Sequence, residues 1–139
     1  MSCLTVPAKT EQLEAVLSFV EQELEFHGMS PHNIIQIKVA TEEMFVNIAH
    51  YAYASGNGNA TIQCCFNEPE NAMEITFIDQ GVPYDPLAKQ DPDLKLAANE
   101  RPIGGLGIYI VKKTMDDVAY CYEGGKNIFV MKKYKEKRK

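Results

Sequence analysis

The sequence lacks any apolar run long enough to cross a bilayer, and Met1 to Lys9 lack the basic start and apolar block of a secretory leader. A cytoplasmic protein with no membrane partner is the expectation. The four cysteines, Cys3, Cys64, Cys65 and Cys121, include no C-x-x-C and no paired metal spacing. They are expected to be reduced, some of them as small core residues, with Cys64 and Cys65 on opposite faces of a strand. Arginine is scarce: Arg101 and Arg138 are the only two. No Gly-Lys-Ser/Thr follows the glycine cluster at 104–107, which excludes a P-loop there, and the dinucleotide fingerprint is missing as well.

What is present is ordinary in bulk. The 139 residues are 45% hydrophobic and 24% charged, which suits one globular domain spanning residues 1–139. Net charge is −5, but Met131 to Lys139 hold six basic residues and one glutamate, so the body is more acidic than the total. An acidic body argues against a nucleic-acid face. The basic stretch, about 132–139, is expected to be a solvated, frayed tail.

Taken in order, residues 3–6 read as a strand stopped by Pro7. Thr10 to His27 read as a helix, because Leu13, Val16, Leu17, Val20 and Leu24 recur at three- and four-residue spacing before Gly28. Ser30-Pro31 is a start signal for a second helix running to about Tyr53. Strands at 60–66 and 72–78 follow, then a polar, weakly patterned cover at about 87–103. A helix from Ile108 to about Met115 and a hairpin turning at Gly124-Gly125 close the chain. This order predicts an α+β two-layer sandwich, with a mixed, mostly antiparallel sheet and helices on one face.

Three stretches carry candidate chemistry. On the second helix Glu43 and Asn47 share a face, with His50 three residues on. An amide oxygen suits Mg²⁺, which takes few protein ligands, and a carboxylate one turn earlier suits deprotonation of a hydroxyl. An exposed polar face explains the pair equally well, and His50 reads as structural. Second, a strand ends on Asp79 and turns through Gly81 and Pro83. That suits recognition of a planar donor such as an adenine amino group, or a plain surface turn. Third, Gly104, Gly105, Leu106 and Gly107 precede a helix, where uncrowded backbone N–H groups form a phosphate cradle or a tight turn.

In combination and in this order the three are specific. Ala40 to Tyr53 (ATEEMFVNIAHYAY) resembles the N box of the GHKL, or Bergerat-fold, ATPases. Asp79 to Pro86 (DQGVPYDP) resembles their G1 box, and Arg101 to Asp116 (RPIGGLGIYIVKKTMD) their G2 box. Within that superfamily the chain is most similar to the bacterial anti-sigma-factor serine/threonine kinases. The resemblance implies that Asn47 coordinates Mg²⁺, Glu43 acts as general base, and Asp79 accepts from the adenine of ATP beside Gly81. It implies a phosphate site at Gly104, Gly105, Leu106 and Gly107, and an ATP lid at 87–103. It places Asn127 at the adenine pocket, where many such proteins carry a Gly-Thr pair.

The implied partner is a small STAS-domain anti-anti-sigma protein, with a sigma factor competing for the same kinase; members of the family often form homodimers, and the sequence leaves the oligomeric state open. The first helix carries no arginine, although some of these kinases use one there. A catalytically silent, ATP-gated protein-binding module is the alternative reading.

Overall fold

The computed structural model describes residues 1–88 and 106–136. Their elements are β1 (Ser2–Pro7), α1 (Leu13–Phe26), α2 (Pro31–Tyr51), β2 (Asn59–Asn67), β3 (Ala72–Asp79), α3 (Leu106–Thr114), β4 (Asp117–Glu123) and β5 (Lys126–Tyr134). Short 3-10 turns stand at Thr10–Gln12 and Pro86–Ala88.

Local chemistry accounts for the helix ends. α1 stops at Gly28, which takes a left-handed φ of 72°, and Met29 N–H then reaches back to Leu24 O at 3.0 Å. α2 starts at Ser30, whose Oγ accepts from Asn33 N–H at 3.1 Å, with Pro31 in the first turn. The inner stripe of α2 is Ile37, Ala40, Thr41, Met44, Phe45 and Ile48, all buried at the three- and four-residue spacing of one helix face.

The strands form one sheet in the order β1-β2-β3-β5-β4, and every pairing is antiparallel. The room left for a mixed sheet is therefore not used among the described residues. β3 is central, and the β4–β5 hairpin, turning at Gly124 and Gly125 (both at positive φ), sets β5 beside it and leaves β4 at the edge. Burial alternates along the strands, with Met73, Ile75 and Phe77 buried in β3 and Phe129 and Met131 in β5. Those side chains join the helix stripes in one core, so helices cover one face in an α+β arrangement.

Three expectations need correction or limits. α3 begins at Leu106 rather than Ile108, so Gly107 lies inside the helix's first turn. Lys132 and Lys133 are not a solvated tail but part of β5. Lys132 stands opposite Glu74 and bonds Glu70 Oε2 at 2.8 Å, which raises its pKa, while Lys133 Nζ donates to Thr114 O at 2.6 Å. Of the expected lid, Leu87 packs against the core in the Pro86–Ala88 turn, and 89–103 lie outside the described residues. So do Gly104, Gly105 and 137–139.

Phe45, with no exposed surface, ties α2 to the sheet, and Phe45→Ala should destabilise the protein by about 3–5 kcal/mol in urea unfolding. A loss below about 1 kcal/mol would show that α2 does not depend on this contact. The cysteines offer a second check. Cys64 is buried while Cys3, Cys65 and Cys121 are exposed. Burial, helped by Glu23 and Cys3 nearby, pushes the Cys64 thiol up to about 12. Native protein should therefore alkylate at Cys3, Cys65 and Cys121, and at Cys64 only after unfolding. Rapid native labelling of Cys64 would contradict this packing.

Candidate functional site

The site forms where the C-terminal end of α2 meets the exit of β3. At that point two backbones touch. Val82 N–H donates to Ala52 O at 2.9 Å, and a Cβ on Gly81 would fall inside contact distance of the same carbonyl. Gly81 is thus required by helix–loop packing. Tyr53 adds a second rivet: its hydroxyl donates to Asn59 O at 2.6 Å and accepts from Gln80 N–H at 2.8 Å. The ends of α2, β2 and β3 are held together by these contacts.

Between α2 and the sheet lies a narrow pocket of about 30 Å³ that opens to solvent. Its walls are mainly apolar, from Met44, Ile48, Phe77 and Phe129, with Asp79, Asn127 and Tyr120 as the polar groups. Asp79 and Asn127 are only 6% and 7% exposed, and they face each other because their register positions on β3 and β5 are paired. Asp79 Oδ1 accepts from Gly81 N–H and from Asn127 Nδ2, each at 2.9 Å. Among the described residues no protein donor reaches Oδ2, which stays available to a donor in the pocket.

Asn127 is the hub of this end. Besides Asp79, its Nδ2 donates to Val82 O at 2.9 Å and reaches toward Gly81 O at 3.5 Å. Its Oδ1 accepts from Tyr84 N–H at 3.1 Å and from the Tyr120 hydroxyl. Burial pushes the Tyr120 phenol up, opposed by the Tyr84 backbone hydrogen bond and reinforced by the Asp85 and Asp79 charges.

A second cleft, about 560 Å³ including its open mouth, adjoins this pocket through Asn47 and Tyr51. It is lined by Glu43, Asn47, His50 and Gly107. A Cβ on Gly107 would collide with Glu43 Oε2, so the carboxylate lies directly against the first turn of α3. Backbone N–H groups in such a turn have no partner within the helix and suit an anion. Glu43, Asn47, Asp79, Gly107 and Asn127 therefore line two connected clefts, while Gly81 packs against Ala52. Leu106 opens α3, and Gly104 and Gly105 lie outside the described residues.

The family description "Histidine kinase-like ATPase domain" matches residues 6–133. This chain belongs to the histidine kinase-like ATPase family. The serine-protein kinase RsbW of Bacillus cereus (strain AH820) is 28% identical over 133 residues, covering 93% of this chain and 82% of its own. The protein of that name from Bacillus anthracis aligns with the same figures. Among solved structures, the RsbU and RsbW domains of Rv1364c from Mycobacterium tuberculosis superpose with a TM-score of 0.62 at 12% identity. That match covers 96% of this chain but spans about a third (32%) of the longer mycobacterial one. A chain of the SiaB-SiaC complex from Pseudomonas aeruginosa gives 0.60 at 19% identity, covering 96% of this chain and 89% of that one. At these identities the two structures bear on fold alone.

The histidine kinase-like ATPase site holds residues that sequence reasoning passed over. Tyr84, Tyr120 and Phe129 line the pocket; Tyr84 falls within the Asp79–Pro86 stretch but was not singled out, and Tyr120 and Phe129 sit in strands without motif spacing. His50, read as structural, is exposed on the second cleft beside Glu43 and Asn47, and its three-residue offset from Asn47 was the available signal. Tyr53→Phe should remove both hydroxyl bonds and lower stability by roughly 1–3 kcal/mol in thermal or urea unfolding. An unchanged midpoint would mean that water replaces the hydroxyl without loss.

Proposed function

We propose that this chain is an ATP-dependent protein serine/threonine kinase of the anti-sigma-factor type. Its substrate would be a hydroxyl on a small STAS-type anti-anti-sigma protein, and the same kinase would sequester a sigma factor or similar regulator. The observation that carries the reading is the convergence of Glu43, Asn47 and Gly107 on one cleft that opens into the pocket holding Asp79. Two separate sites would have suited binding alone. A continuous one fits a molecule with a planar base at one end and phosphates at the other.

The residues fit the nucleotide. Asp79 Oδ2 would accept from the adenine amino group while the apolar walls hold the ring. The first turn of α3, beginning at Leu106 and Gly107, would face the phosphates with its N–H groups. Asn47 would hold Mg²⁺, which neutralises phosphate charge when bound. Among the described residues no cluster of three or more His, Cys, Asp or Glu is present, and Mg²⁺ needs none because it keeps its waters and phosphates. Glu43 would take the proton from the attacking hydroxyl. Phosphoryl transfer depends chiefly on positioning and charge, so these groups suffice.

The names of the Bacillus relatives, serine-protein kinases at 28% identity, support the same reading. No helix among the described residues is long and apolar enough to cross a membrane, which agrees with a soluble regulator.

The test is the intact mass of the native partner protein before and after addition of Mg-ATP. One added phosphate is expected. Glu43→Ala should slow that addition roughly 10²–10⁴-fold while ATP affinity is kept. A partner bound or released with ATP but never gaining mass would replace the kinase with an ATP-gated binding module.

A further inference from the structure

We propose that Asn127 is a positioning residue for base specificity: it requires an acceptor at the inner atom of residue 79, so that the other atom of that side chain, an oxygen in Asp79, is the one turned toward the ligand. The inference rests on the reading of this pocket as the nucleotide base site. Its basis is that both ends of the Asn127 amide are committed. The Nδ2 side faces acceptors, Asp79 Oδ1 and Val82 O at 2.9 Å each. The Oδ1 side faces donors, the Tyr84 N–H and the Tyr120 hydroxyl. Flipping the amide would set donor against donor at Tyr84 N–H and acceptor against acceptor at Asp79 Oδ1 and Val82 O, three mismatches in a site 7% exposed, and only the Tyr120 hydroxyl could turn to suit. The orientation is therefore fixed by chemistry.

The consequence falls on position 79. Its inner atom meets two donors, Asn127 Nδ2 and Gly81 N–H, and so must be an acceptor. In the native carboxylate the outer atom is an oxygen too, and the pocket offers an acceptor to the base. A 6-amino purine satisfies it, whereas a 6-oxo purine would place oxygen against oxygen. In Asp79→Asn the same two donors would hold the amide oxygen inward and leave the NH₂ facing the base. The pocket would then offer a donor, and the preference should invert instead of merely weakening.

The experiment is a titration of ATP and of inosine triphosphate into three near-isosteric proteins, with circular dichroism as a check on folding. The native protein should favour ATP by about tenfold or more. Asp79→Asn should favour inosine triphosphate by a similar factor. The double variant Asp79→Asn with Asn127→Asp removes the donor at 127 and supplies an acceptor that attracts the amide NH₂ inward. Its preference for inosine triphosphate should disappear.

Outcomes separate the two layers of the argument. If the native protein binds neither nucleotide, or binds both equally, the base-site reading itself fails. If it favours ATP but folded Asp79→Asn does not favour inosine triphosphate, only the inference about positioning fails. If the inversion survives in the double variant, Gly81 N–H alone orients residue 79 and Asn127 is not the determinant.

Discussion

The contact on which this structure turns is a backbone one: the carbonyl of Ala52, just past α2, accepts from Val82 N–H across the bare α-carbon of Gly81. It joins the long helix to the exit of the central strand without an intervening side chain. Everything functional hangs on that junction. Asn47 and Glu43 lie on α2 about one and a half and two and a half turns before it, and Asp79 lies two residues before Gly81 on the other side. A shift of this junction would move the two groups relative to each other, and a pocket continuous from base to phosphates would lose its register.

The second constraint is the strand order. β3 and β5 are neighbours although α3 and β4 intervene in sequence, and their antiparallel register sets Asp79 opposite Asn127. One amide then serves the strand end, the loop carbonyl of Val82 and the N–H of Tyr84 at once. A buried polar group is tolerable when its donors and acceptors are all matched, and such matching also makes it specific. Asn127 meets that condition, so recognition in this pocket is a property of the network and not of Asp79 alone.

How much of this could be read in the sequence follows from which interactions are local. Helix starts and stops were legible because Ser30, Pro31 and Gly28 act on their own neighbours, and strands β2 and β3 because their alternation is local. The roles of Glu43, Asn47 and Asp79 were suggested by three ordered motifs, and the fold brings them together. The rest depended on partners distant in the chain. Lys132 and Lys133 looked like a basic tail until Glu70, Glu74 and Thr114 came to lie beside them. The packing of Gly81 against the carbonyl of Ala52, twenty-nine residues earlier, left no local trace. Tyr120 carried no motif spacing, and its relation to Tyr84 runs through Asn127.

The two carboxylates of the site also divide its labour by environment. Asp79 is buried, with one oxygen held by two donors, so its side chain is fixed in place. Glu43 is half-exposed on the rim, pressed against a glycine on a different helix. A group that must accept a proton from another protein's hydroxyl needs access from outside and some freedom to swing; a group that reads a base needs neither. Gly107 provides that freedom, since any side chain there would occupy the place of the Glu43 carboxylate. The position of that glycine inside the first turn of α3, rather than before it, thus joins the anion-facing helix end to the candidate base in a single contact. Displacing α3 would disturb both groups together.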